Sequence, residues 1–373
     1  MVCAFIVMKC EGFSQITDLA DYPDNNRLIA HYCGFNIMKP LPSYWTYDRF
    51  LKKLDNGELK HIMARQVKKL YEPGIADASF IGLDSTPVAA NTKQNNPKSF
   101  AKDKFKPENH PKADPDCALG VHSASNQHNE RRYEFYWGYK NHVLVDCISG
   151  LPIYERTTPA NVTDSCVVQK ILAAASKTIS LLECTFLGDK GYDAKAVYDL
   201  VKNVCQGDAV IPLNKRNTKD PEKLPAGNPI CDAGLVMHKD GKTSDGNQGL
   251  RQKFCCPFRQ SKTNSCPCNH KNRNNGKKNR GCTKYKAIPS DYRLSIDREC
   301  SRFKRTYALR TECERYNSRF KASGQERLWV LNASSAANLN TFAHIAALAV
   351  ACAAVHFTPH HSCRSVKSFR RTA

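Results

Sequence analysis

Acidic residues are scarce in this 373-residue sequence: 35 Asp and Glu stand against 56 Lys and Arg, which gives a formal net charge of +21. This excess of positive charge is larger than solubility requires, and a polyanion is the simplest partner for it. The deficit of acids therefore favours a nucleic-acid partner over a membrane. Because 41% of the residues are hydrophobic, the chain can bury a substantial core, as one large domain with additions or as two to three domains.

No secretory signal is expected either. The opening stretch MVCAFIVMKC is apolar, but its hydrophobic run is short and no basic residue precedes it. In a large chain of this kind, the 18 cysteines indicate reduced thiols, so we expect a cytoplasmic, nucleoid-associated protein. Residues 339–357 approach the length of a membrane span. Because they include Asn340, Thr341 and two histidines, they indicate a buried Ala-rich helix instead.

The order of predicted elements indicates an α/β fold with a mixed sheet flanked by helices. One strand-like run ends at Asp84, and two further runs cover residues 136–146 and 151–158. The last two are joined as a hairpin. A helix, a strand ending at Asp189, a second helix and a final short strand follow. This β-β-β-α-β-α-β order matches a ribonuclease-H-like topology.

Five segments are expected along the chain. They are a helical N-terminal module (1–76), the first part of the α/β core (77–213), a basic Cys-rich insertion (214–300), the second part of the core (301–358) and a basic tail (359–373). The helical module is either a packing subdomain or a DNA-binding domain. An insertion is favoured over a separate domain at 214–300, because the apolar segments that follow it need the earlier core to pack against.

Residues 305–321, RTYALRTECERYNSRFK, have the pattern of a two-faced helix. Four polar side chains share one stripe of that helix: Tyr307, Arg310, Glu314 and Lys321. Four others form an apolar face for burial: Leu309, Cys313, Tyr316 and Phe320. The polar stripe thus presents one acid among three hydrogen-bond donors, whereas Glu312 points elsewhere.

Three acids are candidates for a shared site. Asp84 and Asp189 each end a strand, where side chains project from a rigid sheet, and Glu314 lies on a helix that could cross that sheet. Converging carboxylates repel one another and need cations, and Mg²⁺ prefers such oxygen ligands. Two Mg²⁺ ions can promote phosphodiester displacement, with Arg310 and Lys321 holding phosphates.

At these residues the sequence resembles insertion-sequence transposases of the DDE class, which carry a Tyr-x2-Arg-x3-Glu-x6-Lys signature. Tyr307, Arg310, Glu314 and Lys321 match that spacing without a gap. The stretches LDSTPV and GDKGYD look like the other two acidic blocks of the family. The resemblance extends to SYWTYDRFLKKL and GYKNHVLVDCISGLPIYERTTPANVTDS, and it covers most of residues 25–356.

The resemblance implies a ribonuclease-H-like fold in which Asp84, Asp189 and Glu314 bind two Mg²⁺ ions, with Mn²⁺ as a substitute. It also implies hydrolytic release of a 3′-OH at the ends of an element and attack of that hydroxyl on target DNA. The partner would be double-stranded DNA, with a homodimer assembled on it. The remaining signature residues would correspond to DNA-contacting positions: Tyr307, Arg310 and Lys321. Tyr192 also matches the second acidic block, where its ring either has a functional role or only packs.

The predicted insertion contains a basic run, because residues 251–286 hold eleven Lys and Arg and no acid. With aromatic residues interspersed, the run reads as a grip on the phosphate backbone, centred on Lys277, Lys278 and Arg280, and DNA binding should depend steeply on salt. The same run holds a cysteine cluster next to His270: Cys255, Cys256, Cys266, Cys268 and Cys282. Four thiolates suit structural zinc, but the spacing is irregular, so free thiols or a degraded site stay open.

Two functions compete with an active transposase. One is an element-derived DNA-binding protein that has lost catalysis, which the presence of all three acids and the complete signature disfavours. The other is a simple nuclease on the same fold. Nicking of DNA without joining would distinguish that nuclease from a transposase.

Overall fold

The computed structural model describes residues 1–100, 102–125, 131–214, 228–245, 249–258, 282–288 and 292–357, and the chain forms two compact units. The first unit comprises Met1–Leu187, Cys205–Gly207 and Leu309–Ala373, and the second comprises Gly188–Val204 and Asp208–Ala308. This division differs from the predicted segments, because the stretch around Asp189 groups with the predicted insertion. The predicted basic tail lies outside the described residues.

Five helices open the first unit: α1 (Val2–Glu11), α2 (Ile16–Asn25), α3 (Arg27–Tyr32), α4 (Tyr44–Lys53) and α5 (Asn56–Tyr71). The sequence of residues 25–72 predicts short helices that end before Pro73-Gly74, and α3, α4 and α5 lie in that range. Asp55 caps α5 by accepting a hydrogen bond from the Gly57 amide at 3.1 Å. Gly74, with φ of +75°, follows the end of α5, as the Pro-Gly pair indicated. The helices α1 and α2 were not predicted, because α1 is apolar nearly all round and α2 holds Pro23.

The sheet of the first unit contains β1 (Phe80–Ala89), β2 (Ala118–Ser125), β3 (Arg131–Asp146), β4 (Pro152–Pro159) and β5 (Thr185–Leu187). The strand order is β2-β3-β1-β5, and β4 also pairs with β3. β1 runs parallel to β5 and antiparallel to β3, so the predicted mixed sheet is confirmed. The hairpin between β3 and β4 turns at Gly150, which has φ of +71°. β2 was missed, since ALGVHSAS lacks a clear apolar alternation.

Helices complete the first unit around this sheet: α6 (Val168–Ala175), α10 (Thr311–Phe320) and α11 (Ala333–Phe357). α11 is the predicted Ala-rich helix. By length and composition it could cross a membrane, but 61% of its most apolar window is buried in the protein. It packs against α5, α1 and β4, and the Phe342 ring stacks on that of Phe5 with centroids 4.9 Å apart. The prediction of a buried core helix is confirmed.

The second unit has a small sheet of its own. Its elements are α7 (Lys195–Leu200), β6 (Asp208–Val210), β7 (His238–Asp245), β8 (Gly249–Cys255), β9 (Thr283–Ala287), α8 (Tyr292–Ser295) and α9 (Ser301–Ala308). Strands β7, β8 and β9 are antiparallel neighbours in that order. Met237 and Phe254 pack with three cysteines in an apolar cluster. This cluster gives the predicted insertion a small core of its own.

A buried lysine distinguishes the first helix. The Lys9 side chain is almost fully buried, and its ammonium donates hydrogen bonds to the Phe13 carbonyl and to Gln325 Oε1, both at 3.3 Å. Burial lowers the pKa of Lys9 to about 7. Lys9 also lines a cavity of about 310 Å³ together with Arg319 and Tyr316. The amine is thus satisfied as a donor but poorly solvated as a cation.

Lys9→Met should stabilise the first unit at pH 7 by about 2 kcal/mol, because about 4 kcal/mol of desolvation cost exceeds the loss of two hydrogen bonds. Between pH 7 and about 10 the unfolded chain binds more protons at Lys9 than the folded protein does. The stability of the wild type should therefore rise with pH across this window, and that rise should shrink in the variant.

Urea unfolding followed by tryptophan fluorescence measures this effect, since Trp45, Trp137 and Trp329 all belong to the first unit. Lys53→Met, at an exposed position of α4, is the matched control and should change stability by less than about 0.5 kcal/mol. An unaltered pH profile in Lys9→Met would contradict the assignment.

Candidate active site

Asp84 lies in the middle of a strand. The sequence suggested that a strand stops at this acid, but β1 continues for five residues beyond it, and Asp84 pairs in register with Val143 of β3. This prediction is wrong because the cross-strand pairing persists through the polar residues Ser85 and Thr86. Asp84 is consequently held by a strand that has sheet partners on both sides.

The signature residues do not share one continuous helix. α9 ends at Ala308, a turn covers Leu309 and Arg310, and α10 begins at Thr311. Tyr307 belongs to the second unit, where its ring stacks on Phe303 with centroids 6.2 Å apart. The single four-turn stripe is therefore wrong in this respect, because the helix is interrupted at Leu309 and Arg310, where the second unit ends and the first resumes. The apolar face of α10 is confirmed, since Cys313, Tyr316 and Phe320 are buried.

Arg310 contacts two of the three candidate acids. Its Nη1 lies 2.6 Å from Glu314 Oε1, and its Nη2 lies 3.7 Å from Asp84 Oδ2. The arginine side chain is 13% exposed, whereas that of Glu314 is 59% exposed. Glu314 lies in the first turn of α10, where backbone amides favour negative charge. Glu312 pairs with Arg315 instead, consistent with its predicted separate direction. The structure thus joins Asp84 and Glu314 through one guanidinium.

Asn317 is a contact that sequence reasoning missed. This buried residue of α10 donates a hydrogen bond from Nδ2 to Asp84 Oδ2 at 3.1 Å. The sequence spacing could have indicated this contact, because Asn317 follows Glu314 by three residues and such residues are neighbours on the surface of a helix. Asn317 Oδ1 has no hydrogen-bond partner within the described part of the chain. The side-chain amide is therefore oriented by Asp84.

A pair of thiols separates α10 from the strand that carries Asp84. Cys313 Sγ lies 3.9 Å from Cys147 Sγ, and both side chains are buried. The contact with Cys147, together with burial, raises the pKa of Cys313 and keeps the thiol protonated and unreactive. A Cβ atom at Gly82 would collide with both sulfur atoms. Glycine at this position therefore lets α10 approach β1 closely enough for Asn317 to contact Asp84.

A chain of buried hydrogen bonds fixes α10 from behind. The Tyr316 hydroxyl lies 2.6 Å from His344 Nδ1, and His344 Nε2 lies 2.9 Å from Asn141 Oδ1. Asn141 Nδ2 donates to Glu155 Oε2 at 2.7 Å, and the Glu155 carboxylate forms an ion pair with Lys60. Since the Asn141 amide donates to Glu155, its oxygen accepts from His344 Nε2–H, and His344 Nδ1 accepts from Tyr316. Burial lowers the pKa of His344 and favours this neutral form.

Asp189 lies in the second unit. It follows β5 by two residues, close to the predicted strand end, and it caps the turn Lys190–Tyr192 by accepting a hydrogen bond from the Gly191 amide at 2.7 Å. Tyr192 is buried, so its ring packs, as one of the two sequence interpretations held. Four residues later, the buried Asp193 pairs with Arg293 at 2.9 Å. The second acidic block is therefore fastened within its own unit.

Two carboxylates with one cationic partner are an oxygen donor set that fits a hard divalent cation such as Mg²⁺. Asp84 and Glu314 form this set in the first unit. No group of three or more His, Cys, Asp and Glu side chains in the described ranges is arranged to hold a metal ion. The predicted trio of acids therefore stays a prediction.

The other predicted DNA-binding residues stay predictions. Lys321 follows α10 directly, in the turn Lys321–Gln325, and is partly exposed. The central residues of the basic run, Lys277, Lys278 and Arg280, lie outside the described residues, as do Cys266 and Cys268.

The zinc prediction finds no support. Cys256 and Cys282 are buried in the apolar cluster with Cys231, a cysteine that the sequence reading left out, while Cys255 is partly exposed. Burial and the neighbouring thiols raise the pKa of Cys282 to about 11, so the thiol form is favoured. Every cysteine within the described ranges is a free thiol. The surroundings of Cys231, Cys256 and Cys282 suit small apolar core residues.

Comparisons with solved structures return transposases at low identity. A piggyBac transposase synaptic complex with hairpin DNA aligns with 99% of this chain and 68% of that chain, at 10% identity and a TM-score of 0.44. A Mos1 transposase paired-end complex with the left transposon end aligns with 52% of this chain and 56% of the Mos1 chain, at 14% identity and a TM-score of 0.20. A pre-cleavage Mos1 transpososome gives 12% identity and a TM-score of 0.19, covering 52% of this chain and 57% of that one.

Family membership rests on the sequence comparison. No match to this chain is found among curated proteins. The family model described as transposase DDE domain matches residues 74–351, a range that includes Asp84, Asp189 and Glu314. Since that range covers well over half of the chain, the protein belongs to the transposase DDE domain family.

Proposed function

We propose that this protein is a DNA transposase that cuts the ends of an insertion sequence and joins them to target DNA. The observation that carries the proposal is the shared contact of Arg310 with Asp84 and Glu314, in a chain whose family match includes both acids. Two acids held by one guanidinium on a strand and a helix make a compact anionic site. Such a site is suited to a divalent cation and unsuited to binding DNA by itself, since carboxylates repel phosphates.

The proposed chemistry is phosphodiester hydrolysis followed by transesterification. Asp84, Asp189 and Glu314 would hold two Mg²⁺ ions in a ribonuclease-H-like core, with Mn²⁺ as a substitute. When bound, these ions supply charge stabilisation for the attacking and leaving oxygens. The protein itself keeps the carboxylates in place. The sheet partners of β1 and the buried contacts of α10 hold the two elements that carry Asp84 and Glu314.

DNA binding is the second part of the proposal. The net charge of +21 and the acid-free run at 251–286 support a double-stranded DNA partner, with affinity falling as salt rises. Tyr307, Arg310 and Lys321 would contact the DNA near the site of cleavage, and Lys277, Lys278 and Arg280 would hold the backbone. Joining two ends requires at least two active sites, so a homodimer on DNA is part of the proposal.

A plasmid assay separates the three candidate activities. The purified protein is incubated with Mg²⁺ and a supercoiled plasmid that carries the DNA flanking the coding region. We expect breaks with 3′-OH ends at the element boundaries and products in which those ends are joined to new sites. Nicking without joining would identify a simple nuclease. Binding of the flanking DNA without any break would identify an element-derived DNA-binding protein and contradict the proposal.

A further inference from the structure

The Asp84–Glu314 pair already has a cation of its own, the Arg310 guanidinium. Arg310 Nη1 and Nη2 lie 2.6 Å from Glu314 Oε1 and 3.7 Å from Asp84 Oδ2, and the arginine side chain is only 13% exposed. A guanidinium cannot lose its charge in a protein, so at every ordinary pH it offsets one of the two negative charges of the acids. A divalent cation that binds to both carboxylates would compete with this guanidinium for their negative charge.

Asp84 also has an uncharged hydrogen-bond partner, Asn317. Asn317 Nδ2 donates to the same Asp84 oxygen, Oδ2, at 3.1 Å, and Asn317 is a buried residue of α10. Release of Arg310 would therefore leave the hydrogen bond from Asn317 to Asp84 in place. Glu314, by contrast, lies in the first turn of α10, and its side chain is 59% exposed. One acid is thus held rigidly and the other can move.

We propose that Arg310 is an exchangeable internal counter-ion of the Asp84–Glu314 pair, which an entering divalent cation displaces while Asn317 keeps Asp84 in position. The inference rests on the metal chemistry of the proposed function. It gives Arg310 a role that precedes any contact with DNA: the guanidinium becomes available to a phosphate once the metal has taken its place beside the acids. Asn317 is a positioning residue, since it acts through Asp84.

The counter-ion role is tested without metal or DNA. Arg310→Met is compared with wild type in EDTA by thermal unfolding, followed through the three tryptophans, all of which belong to the first unit. We expect the unfolding temperature to fall by about 3–6 °C, because the two carboxylates lose their cation. In an Asp84→Asn/Glu314→Gln background the same substitution should have little effect. An equal effect in both backgrounds would overturn the proposal.

The exchange is tested with a series of Mn²⁺ concentrations, scored by the rise in unfolding temperature. Arg310→Met should reach half of the full rise at about tenfold less Mn²⁺ than wild type, because the competing cation is gone. Asn317→Ala should require about three- to tenfold more, because Asp84 is no longer held. A purely structural role would shift both midpoints in the same direction, and that outcome would overturn the proposal.

Arg315→Met is the matched control. Arg315 lies on the same helix, is 66% exposed and pairs with Glu312, so its replacement should leave the Mn²⁺ midpoint unchanged. A midpoint in Arg310→Met equal to that of the control would also overturn the proposal. The background-dependent loss of stability and the shifted Mn²⁺ midpoints would support the counter-ion role even if neither the wild type nor any variant cleaved flanking DNA. In that case only the proposed transposase activity would be contradicted.

Discussion

Asp84→Asn and Glu314→Gln are each expected to lower the rate of Mg²⁺-dependent cleavage of element-end DNA by about a thousandfold or more. Each substitution keeps the size of the side chain and its acceptor oxygen but removes the negative charge that attracts a divalent cation. Stabilisation of charge on the attacking and leaving oxygens contributes several kcal/mol to such reactions, and about 4 kcal/mol corresponds to a thousandfold change in rate.

DNA binding should survive these changes. Removing a carboxylate lowers repulsion from phosphates, so the affinity for the same DNA should stay equal or rise slightly. Rates are measured on end-labelled DNA, and binding is measured by fluorescence anisotropy at a fixed salt concentration. Asp103→Asn, at an exposed acid of the same unit that pairs with Lys106, is the control and should cleave like wild type.

The decisive outcome is that of the double variant. If Asp84→Asn/Glu314→Gln still cuts element-end DNA at a rate near that of the Asp103→Asn control, these two acids do not hold the catalytic cations. The assignment of Asp189 would then have to be judged alone.

Lys60→Met is expected to destabilise the first unit by about 3–5 kcal/mol. The Lys60 ammonium donates to the Glu155 main-chain oxygen at 2.8 Å and pairs with the Glu155 carboxylate, which is buried. Burial, followed by the nearby charge of Arg156, lowers the pKa of Lys60, but the carboxylate in contact with the ammonium stabilises its charged form. Removing the lysine leaves a buried carboxylate without its cation, and this costs far more than the pair itself contributes.

Lys52→Met provides the matched comparison. Lys52 pairs with Asp48 at 2.7 Å on α4, but its side chain is 48% exposed, so water replaces the lost partner. Its replacement should cost less than about 1 kcal/mol. Both variants are measured by urea unfolding followed through tryptophan fluorescence. Equal losses for the two lysines would show that the Glu155 carboxylate is better solvated than its burial indicates.

The helical N-terminal segment and the hairpin at Gly150 were predictable because their signals are local. Caps, Pro-Gly terminators and alternating apolar residues act over a few positions. α1 and β2 lack such signals: α1 is apolar on nearly every face, and β2 is specified by its pairing with β3. Tertiary pairing therefore decided these elements, and it also carried β1 past Asp84.

The sequence by itself determined the family, the positive charge and the identity of the candidate acids, because the spacing of the signature residues and the charge are properties of the chain alone. Only the tertiary structure decided that one guanidinium serves Asp84 and Glu314 together and that Asn317 holds Asp84. The two contacts of Asp84 join residues more than 200 positions apart, and their geometry depends on how closely α10 packs on β1 over Gly82 and the two thiols. Such a distance is set by packing, which no local pattern encodes.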